Sequence, residues 1–338
     1  MKSEICLKES WKMKRFTKFL FIALLAILLT ACGKDENSGN QANNNEKVVV
    51  NIATLSLTPI NVAKEVGYLE EELAKYNATF EYSVHQNGPP INEGIASKRV
   101  DFGSLGEGAI LGGANNKLDT KLLSLATDGK RGINTIIATK QSGIQSLEQL
   151  KGKKIAVALG TSHHVFLLRA LEKVGLTLDD VNIVNLSVTD AHPAFQTNQV
   201  DAWVTAEMYA DLEKQKGAVL LTNGEELDVY SPTFYIARGE FAEKHPELVK
   251  AILKAIDRAI ELKNTDPEKY YEIAAKVSGY DVSVIKANER YELLNEAPSE
   301  ELLVQFQETA EIMKKLGYIT NDIDVKSLVD TSFINDLK

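Results

Sequence analysis

From Val48 to Val204 the chain keeps repeating one local pattern: a short β-branched run, a loop of small residues, then a helix-patterned stretch. Val48-Val49-Val50-Asn51-Ile52-Ala53 reads as a strand, Thr54–Thr58 as its loop, and Pro59 to about Val66 as a helix. Pro59 suits that first turn, where its missing N–H costs nothing. Gly67 is a stop before a second helix from Leu69 to Lys75. The pattern returns with a strand at Thr79–Val84, the loop Gln86–Pro90 and a helix at Ile91–Ser97. It recurs at Val100–Gly103 with a helix near Glu107–Asn115, and at Lys154–Ala158 with a helix at Val165–Val174. Asn182–Asn185, Asp190–Thr197 and Val200–Val204 continue it. Such alternation predicts α/β architecture built on parallel sheets. Beyond Glu240 the apolar spacing turns helical, through Leu248–Leu262 and Leu302–Leu316. No solenoid-type period is present. The length, 338 residues, exceeds what one core commonly serves, roughly 250–300 residues, so two lobes are expected.

The first 31 residues stand apart from that pattern. Lys14, Arg15 and Lys18 precede an apolar run from Phe19 to Leu29, which ends in Leu29-Thr30-Ala31-Cys32. A short apolar run behind positive charge is a secretory signal; a membrane span needs about 17–25 apolar residues. Leu29-Thr30-Ala31-Cys32 resembles the bacterial lipobox, which implies that Cys32 is lipidated as the first residue of the mature chain and held at the membrane. Met13 begins a more typical signal than Met1. The polar, Asn-rich stretch 33–47 reads as a tether.

The net charge is −9, and residues 1–31 alone carry +4, so the remainder carries −13. A body that acidic is a poor match for nucleic-acid phosphates. The two cysteines, Cys6 and Cys32, both precede the body, which excludes disulfide scaffolds, cysteine zinc sites and an internal thiol nucleophile. No cofactor, metal or catalytic constellation is expected.

Ligands of open α/β sheets bind beyond the carboxyl ends of the strands. The loops there are Thr54–Thr58, Gln86–Pro89, Ser104–Glu107, Gly160–His164, Val188–Asp190 and Thr205–Tyr209, and none contains Lys or Arg. The candidate ligand contacts are therefore Ser56, Leu57, Thr58, Gly88, Gly106, Glu107, Gly160, Thr161, Ser162, His163, His164 and Glu207. Gly160-Thr161-Ser162-His163-His164 is the strongest group. It follows the strand Ile155-Ala156-Val157-Ala158 and opens a helix. First-turn N–H groups lack partners inside a helix and can donate to an oxyanion; Thr161 or Ser162 could instead cap that helix. His163 is a candidate donor. His163-His164 as a metal pair is disfavoured, because adjacent residues point apart and no third ligand is evident. Trp203 reads as core, Asp190 as a helix cap, and Arg131 as a solvated loop residue. Phe234 and Tyr235 lie near the return crossing, where an aromatic could line the cleft. Lys151, Lys153 and Lys154 belong at the end remote from the cleft.

Leu150-Lys151-Gly152-Lys153-Lys154-Ile155-Ala156-Val157, the Gly160–His164 run and Leu167–Leu176 resemble the nitrate/taurine/aliphatic-sulfonate class of ABC-transporter substrate-binding proteins. Val200-Asp201-Ala202-Trp203, Phe241–Glu247, Gly88-Pro89 and Val100–Gly103 leading to Gly106-Glu107 fit as well. The similarity covers roughly Val48 to Leu262 and is greatest to the aliphatic-sulfonate members. It implies a periplasmic-binding-protein type II fold with a cleft between two lobes, 48–135 plus 237–338 and 136–236. It also implies a monomeric receptor, not an enzyme, that hands an organic sulfonate to a permease and its ATPase outside the cell. A thiamine-precursor pyrimidine or nitrate is the alternative ligand.

Two departures bear on the ligand. Ala206-Glu207-Met208-Tyr209 stands where members often show Trp-Asp-Pro-Tyr, which implies a roomier pocket. Gly108-Ala109 follows Glu107, where prolines are usual. Glu107 and Glu207 facing the cleft would favour a ligand with a cationic or hydroxyl group; each could instead cap a helix or pair with Lys.

Overall fold

The computed structural model describes residues 47–56, 58–129, 133–287, 297–335 and 337. The leader, Cys32, the tether apart from Lys47, and the candidates Leu57 and Arg131 lie outside the described residues.

The chain builds two five-stranded sheets. The first uses β1 (Val48–Leu55), β2 (Ala78–His85), β3 (Phe102–Gly106), β4 (Thr120–Thr127) and a later strand. The second uses β5 (Thr135–Ala138), β6 (Lys154–Val157), β7 (Asn182–Asn185), β8 (Ala202–Thr205) and β9 (Val219–Asn223). The later strand is β10 (Thr233–Arg238), which inserts between β3 and β4. The orders are β2-β1-β3-β10-β4 and β7-β6-β8-β5-β9. The same topology is thus built twice.

The alternation read from the sequence predicts parallel pairing, and β1–β2, β1–β3, β6–β7 and β6–β8 pair that way. One strand in each sheet does not. β10 is antiparallel to β3 and β4, and β5 is antiparallel to β8 and β9. Each is the first strand after a crossing, so it starts at the edge where its parallel neighbours end and must run the other way. Sheet membership places Thr135 in the second sheet and Thr233–Ile236 in the first. Both crossings therefore come earlier than the expected 135/136 and 236/237, before Thr135 and before Thr233.

Six parallel strands each feed a helix: β1 leads to α1 (Pro59–Glu65), with α2 (Tyr68–Ala74) following it; β2 to α3 (Pro89–Ala96); β3 to α4 (Glu107–Asn115). In the second sheet, β6 leads to α5 (Ser162–Lys173), β7 to α6 (Val188–Gln196) and β8 to α7 (Glu207–Lys214). After β10 come α8 (Gly239–Lys244), α9 (Pro246–Thr265), α10 (Pro267–Ser278), α11 (Val282–Ala287) and α12 (Glu300–Lys315).

Helices cover both faces of each sheet. In α9, Leu248, Val249, Ile252, Leu253, Ile256 and Ala259 fall on one stripe and are buried, with Pro246 opening the helix and Pro267 following its end. They join β1 and α1 residues such as Ile52 and Ile60 in one core. Each of the Leu, Ile and Val side chains contributes about 1.5–3 kcal/mol by leaving water. A charge at Ile252 would break this contact. On the opposite face Phe306 of α12 stacks on Phe234 at 6.1 Å. Phe234 and Tyr235 are fully buried and belong to cores rather than to a cleft wall, because β10 is an interior strand covered on both faces.

Candidate anion-binding cleft

The two sheets present the carboxyl ends of their parallel strands to one cavity of about 210 Å³. Its lining includes the first residue, or the one immediately before it, of all six strand-fed helices: Thr58, Gly88, Gly106, Thr161, Val188 and Ala206. This convergence follows from topology, since a helix that follows a parallel strand begins where that strand ends. A helix start carries partial positive charge from its aligned peptides. Proline removes first-turn N–H groups at Pro59, Pro89 and Pro90, and the Glu107 N–H donates to Pro232 O at 3.0 Å. Ser187 likewise takes the Asp190 N–H at the start of α6 (3.2 Å), so α5 and α7 are the two starts that keep the most first-turn donors.

Local hydrogen bonds hold the loops. In the first, Asn61 Nδ2 donates to Leu55 O (3.1 Å) and Thr58 Oγ1 (3.0 Å), and Tyr82 donates to Asn61 Oδ1 (2.6 Å). The Leu55 N–H donates to Ser104 Oγ at 2.9 Å, tying this loop to the end of β3. At α5, Gly160 takes φ +72°, a conformation that favours glycine, and Thr161 Oγ1 donates to Ala158 O at 2.7 Å. Thr161 occupies the N-cap position without a side-chain cap bond. Of the two roles the sequence leaves open, capping by Thr161 is not the one adopted, because its hydroxyl faces back into the turn. Gly106 faces Ser162: a Cβ there would lie 2.5 Å from Ser162 Oγ, so the two helix starts approach closely only because Gly106 has no side chain.

Ser56, Thr58, Gly88, Gly106, Thr161, Ser162 and His163 all line the cavity. His163 Nδ1 lies 2.6 Å from Asn134 Oδ1, and Asn134 Nδ2 donates to Ser231 Oγ at 2.6 Å. With its amide nitrogen used on Ser231, Asn134 presents oxygen to the ring, so Nδ1 is the protonated nitrogen. A bond from this ring to an anion then falls to Nε2, which holds a second proton only in the imidazolium. The expected role of His163 as a donor is narrowed accordingly; it also ties the start of α5 to both crossings.

Four expected contacts do not line the cavity. Gly160 shapes the turn behind it. His164 is buried, takes a hydrogen bond on Nδ1 from the Gly160 N–H (3.3 Å) and packs edge-to-face on Tyr318 at 4.4 Å. Burial pulls its pKa down to about 4, so the ring is neutral. Glu207 opens α7 half-buried and is not among the residues that line the cavity. Glu107 is wholly buried, and neither carboxylate oxygen has a hydrogen bond of normal geometry. Burial pushes its carboxyl up to about 7, against the opposing pull of the Arg169 guanidinium and the Ser231 and Thr309 hydroxyls. Arg169, on α5, donates to Gln305 O (2.6 Å) and Thr309 Oγ1 (3.2 Å from Nε) of α12. The expectation that two glutamates face the ligand is therefore corrected. The lining contains no Asp, Glu, Lys or Arg among the described residues.

Sequence reasoning did not single out the opposite wall. Tyr270, Tyr271, Tyr280 and Ile285 come from α10, α11 and the turn between them, where helical patterning gives no sign of which apolar stripe meets a ligand. Trp203 is core, with Tyr209 against it at 5.5 Å and His192 stacked at 5.4 Å. Asp190 does not cap α6; Ser187 does, accepting from the Asp190 N–H at 3.2 Å.

The family model described as "NMT1/THI5 like" matches residues 55–270. A putative aliphatic sulfonates-binding protein of Bacillus subtilis is 37% identical over 317 residues, covering 93% of this chain and 95% of that protein. The taurine-binding periplasmic protein of Escherichia coli is 34% identical over 214 residues, covering 62% of this chain and 65% of its own length. Among solved structures, the alkanesulfonate-binding protein SsuA from Xanthomonas axonopodis pv. citri bound to MOPS superposes with a TM-score of 0.75 at 24% identity, over 84% of this chain and 99% of that one.

Proposed function

Since this chain belongs to the NMT1/THI5-like family, we propose that it is the extracytoplasmic solute-binding component of an ABC importer, and that it carries an organic sulfonate to the permease. One observation carries the reading: six helix starts surround one cavity whose described lining holds no fixed charge. A tetrahedral headgroup with three oxygens suits a cradle of N–H and hydroxyl donors. Each charge-assisted bond contributes about 1.5–3 kcal/mol, so four at the upper end total about 12 kcal/mol and reach the micromolar range where binding costs are about 4 kcal/mol. The acidity of the body opposes an anion weakly, because its distant charges are screened over about 8 Å at physiological ionic strength. Lipid on Cys32 would keep the receptor beside its permease, and Cys32→Ala should release it into the medium.

Thermal unfolding of residues 33–338 with alkanesulfonates, taurine, nitrate, sulfate and pyrimidine precursors of thiamine tests the assignment. A ligand at a hundred times its Kd adds about 2.7 kcal/mol. Stabilisation by the pyrimidines and by no sulfonate would replace this reading with the heteroaromatic one, and turnover of any compound would replace it with an enzyme.

A further inference from the structure

The cavity has a second wall, and its chemistry points to the rest of the ligand. Resting on the sulfonate reading above, we propose that the tyrosine wall is a subsite for an aromatic ring, so that the preferred ligand is an arenesulfonate and not a zwitterion or a short alkanesulfonate.

Tyr209, Tyr270, Tyr271, Tyr280, Val284 and Ile285 build this wall. Tyr270 and Tyr271 meet edge-to-face at 5.6 Å, and Tyr209 and Tyr280 do so at 6.3 Å. Rings so placed offer edges and faces that favour another ring over an alkyl group of equal size. Ala206, also in the lining, projects only a methyl group at the start of α7 and leaves room beside Tyr209. The cavity's volume, about 210 Å³, corresponds to space for on the order of ten waters, far more than a headgroup fills. No carboxylate in the described lining is placed to receive the ammonium of a zwitterion such as taurine, and an unpaired ammonium is costly to bury. Tyr209 belongs to the part of the chain built on the second sheet and Tyr280 to the helices packed on the first; their hydroxyls are hydrogen-bonded to each other.

Calorimetric titration of residues 33–338 with p-toluenesulfonate, hexanesulfonate, methanesulfonate and taurine tests the proposal. Toluenesulfonate should bind at least tenfold tighter than hexanesulfonate and at least a hundredfold tighter than taurine. Ala206→Trp, which fills the space, should weaken toluenesulfonate at least tenfold and methanesulfonate less than threefold. Tyr209→Ala should discriminate in the same direction, and it decides the matter if Ala206→Trp does not fold. Hexanesulfonate binding as tightly as toluenesulfonate, taurine binding best, or a variant that weakens all sulfonates alike would overturn the subsite while leaving the sulfonate reading intact. Binding of no sulfonate at all would overturn the sulfonate reading itself.

Discussion

Replacing Glu107 with Gln should stabilise this protein in alkaline solution and do little in acid. Glu107 is wholly buried, and burial raises its carboxyl from an ordinary value of 4.5 to about 7. Between those values the folded state keeps a proton that the unfolded chain has lost, so stability falls as pH rises through that window and levels off above it. Across 2.5 pH units the loss is about 3 kcal/mol. Gln keeps the shape and removes the titration. The wild-type curve alone would conceal the effect, because His164 works in the opposite sense. Its pKa falls from 6.5 to about 4 through burial, so between those values the unfolded chain takes up a proton that the folded state refuses, and stability rises with pH. The two slopes nearly cancel from about pH 4.5 to 6.5. Urea unfolding of wild type and Glu107→Gln, measured from pH 4.5 to 8, should show the variant's advantage growing by about 3 kcal/mol. A gap independent of pH would refute the reasoning, since the carboxyl would then titrate alike in both states.

Gly160→Ala should cost about 1–2 kcal/mol, because φ is +72° there while the nearest atom, Pro89 Cγ, leaves an ordinary 3.6 Å contact; chemical denaturation reads it, and no loss would place the turn in another conformation. Phe306→Ala should cost about 3–5 kcal/mol by emptying the space against Phe234, seen as a lowered urea midpoint with unchanged ligand affinity. Asp101→Ala should cost about 3–5 kcal/mol, because the carboxylate accepts from the Asn51 N–H, Asn51 Nδ2 and Arg238 at 5% exposure; a change under 1 kcal/mol would mean that solvent reaches the pair.

The strand-loop-helix reading located five of the six helix starts to within a few residues and gave the sixth, at Glu207, only as a loop, because β-branched runs followed by small residues have few other uses. Proline and glycine marked two boundaries: Pro59 opens a helix and Gly67 separates it from the next, whereas Pro89 opens a helix expected to begin at Ile91. Antiparallel β5 and β10 were not legible, because direction depends on which edge of a sheet the chain arrives at. A local pattern carries no such information. The same limit applies to Glu107 and Glu207. The sequence placed both at cleft loops, but whether a first-turn side chain faces outward or back toward the neighbouring helices is decided by packing, and α5 with Arg169 packs against α4 and α12. The tyrosine wall was hidden for a related reason: α10 and α11 stand some 200 residues along the chain from the first loop they face.

Main-chain amides are indifferent to codon changes. A headgroup held mainly by main-chain amides would survive most side-chain replacements that leave the helix starts in place, whereas the surface that would meet the remainder of the ligand is made wholly of replaceable side chains. Descendants of this protein can therefore drift toward new solutes through Ala206, Tyr209 and Tyr280 while their hold on a shared anionic group persists.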